Sequence, residues 1–201
     1  MPRQARVVMA GQPHHIIQRG NNKQNIFNAR KDFYYFLNKL SETSIEYDCD
    51  IHAYVLMTNH THLLVTPKKQ DSLSKMMRKL GTCYATYFNH NYDRTGSLLE
   101  GRYKSSIITA DAYFLICMRY IELNPVRAYI VKHPSEYEWS SYRANALGAD
   151  NTMISPHSLY LSMASNEEER KELYKSLFTT ALSDKDIRKL QSSCNKSAPL
   201  L

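Results

Sequence analysis

His60-Thr61-His62 is the sharpest chemical pattern in this 201-residue chain. Where such a triplet opens a strand, alternate side chains share one face, so both imidazoles converge on one ion while Thr61 points away. Two histidines alone make an open, weak site, and a third ligand has to come from elsewhere. The second pattern is Tyr120-Ile121-Glu122-Leu123-Asn124-Pro125. On a helix, residues i and i+4 lie one above the other, so Tyr120 and Asn124 share a face. Pro125 predicts the end of that helix, with Asn124 in its last turn and Tyr120 one turn earlier. A phenol one turn from an amide oxygen supplies both a nucleophile and a metal ligand. Singly, each pattern has a plain alternative: histidines at a strand start, an Asn-Pro stop signal, one packing tyrosine among fifteen.

The elements that must position these residues follow from periodicity. His14 to Gln18 reads as a short strand closed by the turn signal Arg19-Gly20-Asn21-Asn22. Lys31 to Tyr47 carries apolar residues at helical spacing. Cys49 to Met57 and His60 to Thr66 read as a hairpin about Thr58-Asn59. Ser72 to His90 is a second helix with Ser72 as N-cap, Ser105 to Thr109 a fourth strand, and Ala110 to Leu123 a third helix. This order predicts an α+β fold: a ferredoxin-like split βαβ unit whose antiparallel sheet is packed by helices. The division expected is a domain over 1–145 and a C-terminal helical appendage over 146–201, with a loop-rich stretch around Trp139 and a frayed tail from Ser192.

Charge points toward a polyanion. Lys and Arg number 26 against 19 Asp and Glu, a net +7. Residues 1–40 hold seven basic side chains and one acid; residues 41–66 hold four acids and no base; residues 67–104 hold eight bases and three acids. Two basic segments flanking an acidic one favour nucleic acid as partner. No stretch approaches the ~18 apolar residues of a membrane span, and the opening MPRQARVVMAGQPHH has no leader-like apolar core. The four cysteines form no CxxC pair and read as reduced cytosolic thiols rather than a disulfide frame or a zinc site.

Together, His60-Thr61-His62 and Tyr120-Ile121-Glu122-Leu123-Asn124-Pro125-Val126-Arg127-Ala128 resemble the single-tyrosine HUH transposases of bacterial insertion sequences, in particular the REP-associated tyrosine transposase branch. Ile17 to Asn22, Tyr54 to His60, Gly101 to Ser105 and Glu138 to Arg143 fit the same family, and the resemblance spans roughly residues 8 to 145. The family's middle HUH position is usually hydrophobic. Thr61 is β-compatible and faces away from the ion, so little consequence is expected.

The resemblance implies that His60, His62 and Asn124 hold a divalent ion, Mg²⁺ or Mn²⁺, and that Tyr120 is the nucleophile. It implies a single-stranded hairpin DNA substrate, a 5′-phosphotyrosine intermediate and a freed 3′-hydroxyl. DNA contacts are expected from Arg19, Asn21, Asn22, Arg102, Lys104 and Arg127, with Tyr103 stacking on an unpaired base. A bacterial cytoplasmic, nucleoid-associated protein is expected, as monomer or homodimer. A free tyrosine titrates near ~10 and needs a nearby cation or base to attack. The phosphotyrosine keeps the phosphodiester energy, so strand transfer requires no ATP; no GxxxxGK[ST] loop occurs. Two other readings use the same residues: a catalytically idle hairpin DNA or RNA regulator, and a metal phosphodiesterase that uses water. Dependence on the Tyr120 hydroxyl separates them.

Overall fold

The β-like run that begins at His14 builds β1 (His14–Arg19), one of the two inner strands of the sheet in a computed structural model that describes residues 8–196 and 198–200. The opening MPRQARVVMAGQPHH, read above for the lack of a leader, lies partly outside them, since residues 1–7 are not among the described residues. After β1 come α1 (Arg30–Glu46), β2 (Cys49–Met57), β3 (His60–Pro67), α2 (Ser72–Asn91) and β4 (Lys104–Ile107). The sheet order is β2-β3-β1-β4 and every pairing is antiparallel, so the ferredoxin-like α+β expectation holds. Then follow α3 (Asp111–Glu122), α4 (Asn124–Arg127), α5 (Tyr142–Leu147), α6 (Ser158–Leu161), α7 (Glu167–Ser176) and α8 (Asp184–Lys196).

Register gives the sheet two chemically different faces. Cross-strand partners share a face, and the pairs Gln18↔Thr61 and Ile16↔Leu63 look toward α1 and α2. There Phe36, Leu40, Leu80 and Tyr84 close an apolar core. The pairs Arg19↔His60 and Ile17↔His62, with Met57 and Val55 beside them on β2, look the other way, toward α3. One residue's shift in register would exchange these faces. Two backbone bonds pin the hairpin that sets it: Ile26 and Phe27 N–H both donate to the Thr58 carbonyl, at 2.8 and 3.1 Å.

Several boundaries differ from the sequence reading for local reasons. Asp71, not Ser72, is the residue before α2; Ser72 is its buried first residue. The fourth strand ends at Ile107. Helix α3 stops at Glu122, and Asn124-Pro125 opens a new helical turn rather than closing the old one. Proline is tolerated there because the first-turn N–H has no helical partner in any case. Of the tail expected to fray, residues 197 and 201 lie outside the described residues; residues 192–196 end α8, and Leu200 is buried, bridges to Ile108 and donates its N–H to the Ile107 carbonyl at 2.8 Å. The stretch around Trp139 seals the β2 edge, with Leu56 N–H donating to the Trp139 carbonyl at 2.9 Å.

Thr61 departs from the expectation of little consequence. It is 1% exposed, between Gln18 and Leu56 on the neighbouring strands, and its hydroxyl has no hydrogen-bond partner. A methyl in that place would leave nothing unpaired. The four cysteines are unpaired thiols, and among the described residues no helix is long and apolar enough to cross a membrane.

Candidate active site

Where the α3 face of β1 and β3 meets the α3–α4 junction lies a cavity of about 350 Å³. It is lined by His60, His62, Tyr120, Asn124, Arg19 and Arg127, with Ile17, Met57, Ala128 and Gln191 completing the wall. Four residues that the sequence singled out for chemistry therefore share one cavity, although 58 positions separate His62 from Tyr120.

Each imidazole is held through its Nδ1. His60 Nδ1 lies 2.6 Å from the Asn59 side-chain oxygen, which only accepts, so Nδ1 carries the proton and Nε2 keeps its lone pair. His62 Nδ1 lies 2.9 Å from His15 Nε2, and His15 Nδ1 lies 3.1 Å from the Cys194 sulfur. If His62 Nδ1 donates, His15 accepts on Nε2 and donates from Nδ1 to that sulfur, while the thiol reaches the His15 carbonyl at 3.5 Å. Every group then has a partner, and His62 Nε2 is left as a lone pair. Burial keeps all three rings neutral: it lowers His60 to about 4, His15 to about 3, and His62 well below its ordinary value. Neutral imidazoles with an unused Nε2 are the form that binds metal.

Tyr120 and Asn124 complete the opposite wall. The Asn124 amide donates to the Tyr120 carbonyl at 2.8 Å and to the Ile121 carbonyl at 3.3 Å. Those bonds use its NH₂ end and leave the oxygen for a ligand. The Tyr120 ring meets His62 and His15 edge-on, at centroid distances of 5.7 Å for each. The Arg127 guanidinium lies 4.8 Å from the Tyr120 ring centroid, a cation–π contact that holds ring and cation side by side. Two neutral nitrogens and an amide oxygen fit a divalent ion whose remaining positions stay open to water and phosphate oxygens, unlike a closed structural zinc site.

The expected DNA contacts do not all gather here. Arg19 and Arg127 line the cavity. Asn21 and Asn22 lie in a short 3₁₀ turn at the end of β1, with Asn22 at φ 50°. Arg102 and Tyr103 line a larger cavity of about 670 Å³ against α2, on the Gln18 face of the sheet. Tyr103 is 7% exposed, with its hydroxyl 3.3 Å from that of Ser74, which leaves little ring surface for a base. Lys104 opens β4 with an exposed side chain. The smaller cavity is the chemically equipped one, because the paired imidazoles and the phenol open into it.

Sequence reasoning missed His15, Cys194 and Gln191. Strand alternation does place His15 on the Ile17 and Arg19 face, a signal available in principle. Nothing local links α8 to β1.

The family profile of IS200-like transposases matches residues 10–131. No curated protein matches the sequence. Among solved structures, the fold is similar to a REP-associated tyrosine transposase bound to a REP hairpin, at TM-score 0.60 and 18% identity, covering 78% of this chain and 93% of that one. A candidate transposase of Deinococcus radiodurans R1 aligns at TM-score 0.42 and 15% identity, over 60% of this chain and 96% of that one.

Proposed function

The chain belongs to the IS200-like transposase family, and from that premise we propose that it cuts and rejoins single-stranded DNA beside a hairpin, with Tyr120 as nucleophile. The observation that carries this reading is the shared cavity of His60, His62, Asn124 and Tyr120, with Arg19 and Arg127 on its wall. A catalytically idle binding module needs no such convergence of lone pairs on a phenol.

Tyr120 Oη attacks the phosphorus of a phosphodiester held against Arg19 and Arg127. The P–O3′ bond breaks as the P–Oη bond forms. The phenol loses its proton, and the leaving oxygen gains one to become a 3′-hydroxyl. A second 3′-hydroxyl reverses the step on another strand, releasing the phenol and joining the ends. His60, His62 and Asn124 would hold a divalent ion, Mg²⁺ or Mn²⁺, which when bound polarises the phosphate and offsets charge on the leaving oxygen. The two arginines neutralise the non-bridging oxygens and orient the group, while the edge-on imidazoles and Arg127 confine the phenol ring. The hairpin and the REP-associated branch are supported by the fold likeness and by the basic segments of the chain.

The test is a denaturing gel of the protein incubated with end-labelled hairpin DNA carrying single-stranded flanks and Mn²⁺. Wild type is expected to form a covalent adduct, Tyr120→Phe none, with hairpin binding retained in both. Equal adduct in the two proteins removes Tyr120 from the mechanism, and undiminished cleavage in EDTA removes the metal. Cleavage without adduct that survives Tyr120→Phe would identify water as the nucleophile.

A further inference from the structure

Helix α4 ends in an unusual way. Tyr129 N–H donates to the Val126 carbonyl and Ile130 N–H to the Pro125 carbonyl, both at 2.9 Å, the paired bonds of a Schellman motif. The residue after the cap of that motif adopts the left-handed region, and glycine is the usual occupant because a Cβ is strained there. Here it is Tyr129, at φ 57°. Helix α5 meets the same left-handed need with Gly148, at φ 68°. Among the described residues the other non-glycine residues at positive φ are Asn22, Lys23, Asp48 and Asp93, short or polar side chains typical of that region except for the lysine.

Packing does not offset the strain at Tyr129. Its side chain is 95% exposed, and the neighbouring Ile130 is 49% exposed. The two residues before it, Arg127 and Ala128, line the active-site cavity. From Leu123 to Glu136 the charged side chains are Arg127, Lys132 and Glu136, the last accepting from the Lys132 N–H at 3.0 Å. An aromatic ring is thus held in water, at conformational cost, on the residue that directly follows two lining residues of the cavity, one of them the cation Arg127. Strain retained without compensation in the free protein points to compensation in a complex. A flat π-face beside cations matches an unpaired nucleobase.

We propose that Tyr129 is a stacking platform for an unpaired base of single-stranded DNA, one that lies next to the phosphate Tyr120 attacks. This rests on the single-stranded DNA reading above and adds to it a residue that sets which nucleotides the cavity rim tolerates. Stacking accepts any base with a π-face, so purines, with the larger face, are favoured over pyrimidines.

The test uses the full-length chain as wild type, Tyr129→Gly and Tyr129→Trp. The probes are hairpin DNAs whose single-stranded flanks carry 2-aminopurine or an abasic site at successive positions. Tyr129→Gly is expected to melt about 2 °C or more higher, because the left-handed strain is gone. It should bind roughly tenfold more weakly and lose the quenching of 2-aminopurine at one flank position. An abasic site at that position should weaken wild type and leave Tyr129→Gly unchanged, and Tyr129→Trp should keep affinity and quenching. Unchanged affinity in Tyr129→Gly with no position quenched overturns the inference. So does a change confined to sedimentation, which would make a second copy of the chain the occupant. If wild type forms the Tyr120 adduct while these signals are absent, only the platform fails. Quenching at Tyr129 without any adduct sinks the phosphotyrosine step and leaves the platform standing.

Discussion

Two buried polar clusters sit within one turn of each other on α3, and they are built oppositely. Glu122, fully buried, accepts from Ser141 Oγ at 2.6 Å, Asn145 Nδ2 at 2.8 Å and Tyr174 Oη at 2.8 Å. Its carboxylate is enclosed by donors from α5, α7 and the residue before α5. Tyr120 and Asn124, two residues to either side, turn toward His60 and His62; His60 Nε2 keeps its lone pair, as does His62 Nε2 when its Nδ1 donates to His15, for something the chain does not supply. A polar cluster whose members satisfy one another is a fastener. One that saturates only its own back side and leaves its front open is a site. Residue type alone would have ranked these wrongly, since a carboxylate between a tyrosine and an asparagine looks like a metal ligand.

The contrast can be broken by experiment. His60→Ala opens the front of the site without touching the fastener. DNA cleavage should fall by roughly a thousandfold or more, with the thermal midpoint almost unchanged; a large loss of stability instead would make His60 structural. Glu122→Ala should do the reverse, costing about 3 kcal/mol in urea denaturation because three buried donors lose their acceptor. If it unfolds nothing yet abolishes cleavage, Glu122 belongs to the site. His15→Ala leaves both proposed ligands, His60 and His62, in place but removes the partner of His62 Nδ1. Mn²⁺ affinity read by electron paramagnetic resonance should drop about 10- to 100-fold, and an unchanged affinity would show that His62 orients itself.

The pH dependence of stability sharpens the same comparison. His52 and His60 are each lowered to about 4 and His15 to about 3, in every case chiefly by burial. The unfolded chain therefore binds more protons below pH 6.5, and these histidines make stability fall as the solution is acidified. Glu122 is raised to about 7, chiefly by burial and partly opposed by its hydrogen bonds. Its folded form keeps the proton longer than the unfolded form, so it adds stability as pH falls from 7 toward 4.5. Between pH 7 and 5 the Glu122 contribution is about 2 kcal/mol. Glu122→Gln should accordingly show a steeper acid loss than wild type by about that amount, and a parallel profile would mean that Glu122 is ionised in the fold. The smallest effect is expected on the apolar face: Thr61→Val removes the unpartnered hydroxyl and should add about 1 kcal/mol. A destabilised Thr61→Val would reveal a partner for that hydroxyl.

Much of this architecture was legible because its causes are local. A period of two puts His60 and His62 on one face, a period near four puts Tyr120 over Asn124, and Pro125 must interrupt a helix. Whether the interruption ends the chain's helical course or begins a new turn depends on what the next residues pack against, and there the reading went wrong. Similarly, the residues after Ser192 have little pattern of their own, and the placement of Leu200 comes from the β4 end that it joins.

What the sequence determined by itself is therefore the set of reactive groups and which of them share a face, since strand and helix periods follow from backbone geometry. Only the tertiary structure decided that the two faces meet in one cavity, that His15 and Cys194 stand behind His62 while Arg102 and Tyr103 lie across the sheet, and that Glu122 fastens rather than reacts. Those outcomes depend on which element covers which face, and that is settled by burial and hydrogen-bond closure among residues 19 to 179 positions apart.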